Sequence, residues 1–314
     1  MSAARLNVHP HKHPNCGGKN CPERDNVDAD GLCTHTTSAT DGLPVRCVGE
    51  WAYDKIYRLV QYFGIFANGM KNRWGGRLNY VEICSGPGRC ITREDHTEMD
   101  GTALAVIQSP HFKELRKAVF IDASPRVVDI LNQRIKALAA SHIAEAVVGD
   151  YSDAPGICRI LNRLPDSCLN LVFIDPTNCD VPFQTIQRVA AHLQNADLLI
   201  NVALGTDVNR NLVRAILLPN HKTARAKYER FLGTPGFCAQ PEVVGLAKRA
   251  GHEDLRRKFA DTYDHKLKGE GYGHTDVRPV KHYYYLLFAS RNPKGLEFWK
   301  KACTYSPDNQ KEMF

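Results

Sequence analysis

Tyr80-Val81-Glu82-Ile83-Cys84-Ser85-Gly86-Pro87-Gly88-Arg89 is the stretch that decides the fold. Its first half, with Leu78 before it, reads as a buried strand. Its second half is a Gly-x-Gly turn, where two residues without a Cβ let backbone approach a ligand. Glu82 falls at the carboxyl end of the strand, the edge at which open α/β sheets bind their ligands. A single Gly-x-Gly is also the mark of an ordinary strand-to-helix turn, so the weight comes from what lies downstream.

Three further apolar runs, 117–122, 146–150 and 169–175, end in Asp122, Asp150 and Asp175, and 196–202 reads as a fifth strand. Helical patterns separate them. Residues 50–70 repeat apolar side chains at helical spacing, with Trp51 and Tyr53 expected in the core. Ser124-Pro125 starts a helix with an N-cap serine and a proline in the first turn, and Phe183, Ile186, Val189 and Leu193 share one face of another. Alternating strands and helices predict βαβ units and a mostly parallel sheet with helices on both faces. One strand-ending acid is commonly just a helix cap; four at the same edge point to a ligand crevice. A dinucleotide fingerprint needs a third glycine and an acid about 20 residues on, but Ile91 stands at the third glycine position and Asp122 lies far beyond. That argues against NAD.

The 314 residues suffice for one large domain with additions or for two domains, and the formal charge of +7 is compatible with a phosphate-rich partner without requiring one. No apolar run reaches the roughly 18 residues of a membrane span and no secretory leader is visible, so a cytoplasmic protein with no membrane attachment is expected. Cysteines in that compartment are read as thiols or metal ligands rather than disulfides.

Residues 1–49 form a separate Cys/His-rich segment with almost no apolar periodicity. Cys16, Cys21, Cys33 and Cys47 follow the spacing C-x4-C-x11-C-x13-C, which lacks paired knuckles. The segment is either a metal-clipped arm, with these four thiolates on zinc or, as a lesser alternative, an iron–sulfur cluster, or an unliganded or redox-active arm. The His9-Pro10-His11-Lys12-His13-Pro14 run is read as a solvated part of it.

Beyond the fifth strand, residues 206–281 turn basic and helix-like and are expected to form a helical insertion in a domain spanning 50–314, closed by a final aromatic-rich strand, 283–289, and a short helix. Basic residues interleaved with Tyr228, Phe231, Phe259 and Tyr263 suggest a surface that grips phosphates and stacks bases. Nucleic acid therefore leads as partner, ahead of a small molecule or a protein. Asn209 and Arg210 are substrate candidates, with a structural ion pair the alternative for Arg210.

The succession E-x-C-S-G-P-G, F-I-D-A-S, V-V-G-D-Y and F-I-D-P resembles the class I S-adenosylmethionine-dependent methyltransferases, which have a Rossmann-like sheet. The resemblance implies that Glu82, Ser85 and the Gly86-Pro87-Gly88 loop hold the methionine end of the cofactor, Asp122 with Ala123 the ribose, and Asp150 with Tyr151 the adenine. Asp175 and Pro176 would lie beside the departing methyl group. Asp175 could orient or deprotonate an acceptor, with Asn178 hydrogen-bonding beside it; Cys179 is three residues past Pro176 and is expected to be a packed thiol rather than a nucleophile.

A narrower resemblance, to the three-Cys-motif partner family, rests on segments 50–62, 81–89, 100–102, 173–176, 197–201, 208–212 and 284–290. It implies the same fold and a cysteine-motif partner protein. Glu82 stands where that family has Asp, and Thr177 where an aromatic is usual; the cysteine segment is an addition. Two functions remain: a methyltransferase acting on nucleic acid or a nucleobase-like molecule, or a partner that keeps the fold and docks to a cysteine-motif or metal protein. Oligomeric state is not legible.

Overall fold

The computed structural model describes residues 10–18, 21, 27–249, 252–281 and 283–304; His9 lies outside them. Among the described residues the strands are β1 His11–Lys12, β2 Arg46–Val48, β3 Leu78–Ile83, β4 Arg89–Thr92, β5 Thr97–Asp100, β6 Lys117–Asp122, β7 Ala144–Val148, β8 Leu169–Ile174, β9 Ala196–Val202, β10 His274–Val280 and β11 Tyr284–Ser290. Seven form a sheet in the order β10-β11-β9-β8-β3-β6-β7, and four form a second sheet in the order β1-β5-β4-β2. β3, β6 and β7 run parallel, whereas β11 is antiparallel to both β9 and β10. Every residue of β3, β8 and β9 is buried, as the mostly apolar strands of a helix-covered parallel sheet require.

The chain divides into two compact units, Met1–Asp150 with Asn162–Leu171 and Glu297–Phe314, and Tyr151–Leu161 with Val172–Leu296. In the first, the helix Trp51–Met70 packs Tyr62 edge-on to Trp299 and Phe63 edge-on to Tyr80. Trp51 is only half buried, with the Arg93 guanidinium 5.2 Å above its ring, so it belongs to the rim and not to the core. Ser124 caps the helix Pro125–Ala137 by accepting from the Val127 amide at 3.2 Å, with Pro125 in the first turn as expected.

The β4–β5 hairpin falls where sequence suggests a polar link. Its carboxylates Glu98 and Asp100 are buried, which is tolerable only because distant partners meet them. Arg89 lies 3.6 and 3.5 Å from them, and Ser38 Oγ and the Ala39 amide donate to Glu98 at 2.5 and 2.8 Å. Of the histidine run, Pro10, His11, Lys12 and Pro14 are exposed as expected, but β1 pairs with β5 and His13 is buried, with Nε2 2.7 Å from the Thr37 carbonyl. Strand β7 ends two residues before Asp150, which is exposed.

In the second unit the helices are Ala154–Leu161, Phe183–His192, Asn209–Leu217, Lys222–Leu232, Pro241–Ala247 and Glu253–Gly269. Tyr228, Phe231, Phe259 and Tyr263 are fully buried and stack on one another, Phe231 against Tyr263 at 4.7 Å. They are the core of the helical region and not a base-stacking surface, because rings spaced three to four residues apart face inward together. The region ends in a strand rather than a helix. β10 carries Pro279 and charged residues, a composition suited to the sheet edge that it occupies. No described helix is long and apolar enough to cross a membrane.

Candidate active site

At the tip of β3 the backbone turns through three left-handed residues, Cys84, Gly86 and Gly88, with φ of 68°, 65° and 91°. A Cβ on Gly88 would sit 2.9 Å from Leu131 Cδ1, so the turn admits only glycine there. Asp122, at the tip of β6, holds the turn. Its Oδ2 accepts from the Gly86 amide at 3.0 Å and its Oδ1 from the Ser124 amide at 3.2 Å. The Asp122 carbonyl accepts from the Gly149 amide at 2.9 Å, fixing the exit of β7 and with it Asp150. Ala123 is exposed beside them. Ser85 Oγ is buried without a hydrogen-bond partner. A buried hydroxyl with nothing to bond is costly unless a ligand completes it.

Glu82 is placed differently from its strand-end neighbours. It is fully buried, and its oxygens accept from Tyr80 Oη at 2.8 Å and Thr102 Oγ1 at 2.5 Å. Its carboxylate ties β3 to the start of the helix Thr102–Ile107.

The N-terminal segment runs over the turn, which no local sequence signal announced. Asp30 Oδ1 accepts from Ser124 Oγ at 2.7 Å, and Arg126 reaches Asp28 at 2.6 Å. The buried Arg134 spends all five N–H donors: two on Asp41 at 2.8 and 2.9 Å, and three on the carbonyls of Pro44, Pro87 and Leu43. Burial works against ionisation of Asp41, but the Arg134 guanidinium outweighs it and holds the carboxyl at about 2. Arg46 is the functional candidate that sequence reasoning missed. A Cβ on Gly86 would lie 3.2 Å from its Nη1, and its Nε is buried without a partner. Its only trace in the sequence is a charge inside the apolar run Val45-Arg46-Cys47-Val48.

Cys16, Cys21, Cys33 and Cys47 come together around one small cavity. Burial, and then the neighbouring thiols, push Cys16 up; burial pushes Cys47 to about 12. Among the described residues, no group of three or more His, Cys, Asp or Glu side chains is arranged to hold a metal ion, so the thiols converge without ligand geometry.

In the second unit, Asp175 follows β8 directly, half buried, and accepts from Asn201 Nδ2 at 2.8 Å. The same Nδ2 lies 3.4 Å from the Pro176 carbonyl, while Asn201 Oδ1 is buried and unpartnered. Asn178 is exposed. Cys179 is fully buried and burial raises its thiol far above the ordinary range, so it is a packed thiol and not a nucleophile. Its amide donates to Asp207, which sits in a single π-turn, Leu204–Val208, and also accepts from Lys227 at 2.5 Å, Tyr228 at 2.8 Å and Asn211 at 3.0 Å. Burial opposes the Asp207 charge; these donors, Lys227 foremost, hold its carboxyl below the usual range. Asp207 thereby anchors the 175–179 loop. Asn209 accepts from Arg256 at 2.7 Å, and Arg210 is exposed with no ion pair among the described residues. The Tyr151 carbonyl accepts from Thr185 at 2.6 Å.

The strand order, with its antiparallel β11 between β9 and β10, is that of the Rossmann-like class I methyltransferase fold. No family model matches the chain, and no curated protein does. Solved structures do. A protein from Legionella pneumophila is 10% identical with a TM-score of 0.47, over 84% of this chain and 96% of that one. An O-methyltransferase from Bacillus cereus in complex with SAH is 11% identical, TM-score 0.37, over 82% and 84%. The O-methyltransferase TomG from Streptomyces achromogenes, in complex with SAM, is 14% identical, TM-score 0.35, over 73% and 79%. Each likeness is distant, and none assigns a residue or a reaction to this chain.

Proposed function

We propose that the chain is an S-adenosylmethionine-dependent methyltransferase. The observation that carries this is the turn of the first unit, where left-handed backbone, the Asp122 carboxylate and the orphaned Ser85 hydroxyl meet. Such a turn suits a nucleoside with a charged amino-acid end. Asp122, whose oxygens each keep a free lone pair, would accept from the ribose hydroxyls, Asp150 would meet the adenine amine, and Ser85 with Arg46 the methionine carboxylate. The cofactor supplies an activated methyl group; the chain's task is to hold and orient the reactants, which can be worth about 7–11 kcal/mol of barrier. Asp175, fixed by Asn201, would orient or deprotonate the acceptor.

A nucleic acid or nucleobase-like acceptor is favoured by the net charge of +7 and by the exposed Arg210. The three-Cys-motif partner resemblance favours a second reading, in which the chain keeps the fold and docks to a cysteine-motif protein. Calorimetric titration of S-adenosylmethionine, followed by transfer of labelled methyl to bulk nucleic acid and small metabolites, separates them. Binding with transfer that Asp175→Ala lowers at least a hundredfold supports the enzyme; binding without transfer supports the docking protein; absence of binding overturns the cofactor assignment. Arg46→Met tests the missed residue. One charge-assisted hydrogen bond, about 1.5–3 kcal/mol, corresponds to a ten- to hundredfold weaker affinity with the thermal midpoint retained; an unchanged affinity would remove Arg46 from the site.

A further inference from the structure

We propose that Cys16, Cys21, Cys33 and Cys47 bind a single zinc ion that clips the N-terminal segment into place. The four thiols come from separate stretches of a segment in which, among the described residues, Leu32 and Val45 are the fully buried apolar side chains. Local folding does not bring residues at such spacings to one point, yet all four line the same cavity, with Gly18 and His35 beside them. None is in a disulfide. Four thiols around a common space are the donor set of a closed tetrahedral zinc site.

At about 20 Å³ the cavity holds one water-sized body. That is room for one ion, and four thiols with an imidazole, His35, beside them are donors that zinc takes. The thiols are not at metal–sulfur geometry in the structure, so binding requires them to close inward across this space. Each thiol that binds as thiolate gives up its proton to solvent, and no electron is transferred.

What the ion would secure is specific. The segment adds β2 in parallel to β4, and between Cys21 and Cys47 it carries Asp28, Asp30, Asp41 and Arg46, the side chains laid against the 84–88 turn and the helix that follows β6. A crosslink at the base of these loops reduces the conformational freedom that the segment's small core leaves unopposed.

The test uses the full chain, purified without chelator, and elemental analysis. One zinc per chain is expected, released when an organomercurial blocks the thiols. Cobalt exchanged into the site should give thiolate-to-cobalt charge-transfer bands in the near ultraviolet and intense tetrahedral bands in the visible. Cys33→Ser should lose most of the metal, whereas Cys238→Ser, a buried thiol elsewhere, should keep it. If Cys33→Ser does not fold, a zinc-specific chelator on the wild type decides: a lowered thermal midpoint, restored by zinc and not by magnesium, supports the site. A folded, metal-free chain whose midpoint is indifferent to chelator and zinc overturns it, as does iron with acid-labile sulfide.

Discussion

Replacing Asp122 by alanine is expected to weaken S-adenosylmethionine binding by a hundredfold or more. The carboxylate has two duties. It accepts from the Gly86 and Ser124 amides, which shapes the turn and orients the next helix, and in the proposed site it accepts from two ribose hydroxyls. Hydrogen bonds to a charged acceptor contribute about 1.5–3 kcal/mol each, so losing the ribose pair alone accounts for the fall. Asp122→Asn separates the duties, since an amide oxygen still accepts but carries no charge. It should keep the thermal midpoint nearer to wild type while losing about tenfold in affinity. Calorimetry on both variants, with circular dichroism as a fold control, reads the outcome; an alanine variant that is folded and binds normally would remove Asp122 from the site.

The second large effect is on stability. Arg134→Leu should destabilise the first unit by about 2–3 kcal/mol: the guanidinium is buried but Asp41 is exposed, so the loss comes chiefly from carbonyls left without a donor, about 1–3 kcal/mol for each buried one. The leucine fills the space but leaves Asp41 with Arg89 alone, at 3.3 Å, and the carbonyls of Leu43, Pro44 and Pro87 without the Arg134 donors. Arg134→Lys keeps the charge without the fork of five donors and should recover only part of the loss. Chemical denaturation measures both; a leucine variant within about 1 kcal/mol of wild type would show that the pair does not hold the segment to the turn. The same pair sets an acid limit. The folded Asp41 pKa of about 2 is below the ordinary value of 3.8. Its contribution is therefore complete above that ordinary value and is lost as pH falls from there toward 2. Arg134→Leu should flatten this part of the acid-denaturation curve.

The seven-stranded sheet was legible because its signals are local. β3, β6, β8 and β9 are short, mostly apolar runs, and Ser124-Pro125 is a cap written in two residues. β10 was not, since an edge strand needs apolar residues on neither face and tolerates Pro279. The β4–β5 hairpin was hidden because Glu98 and Asp100 look like surface residues until Arg89 and residues 38–39 are seen against them. At the site, Asp122 and the glycine turn could be named from spacing. Arg46 could not, as it reaches Gly86 across 40 residues of chain.

By itself, then, the sequence determined the class of sheet, the acids and glycines at the carboxyl ends of its strands, and a cysteine-rich segment of low apolar content. Periodicity and strand-end chemistry are properties of a few consecutive residues, and these follow from them. Only the tertiary structure decided that Glu82 is buried against Tyr80 and Thr102, that the aromatics of the helical region form its core, and that the cysteine segment lies over the turn with its four thiols around one cavity. Each depends on which distant groups desolvate and neutralise one another, and that is settled by packing rather than by any local pattern.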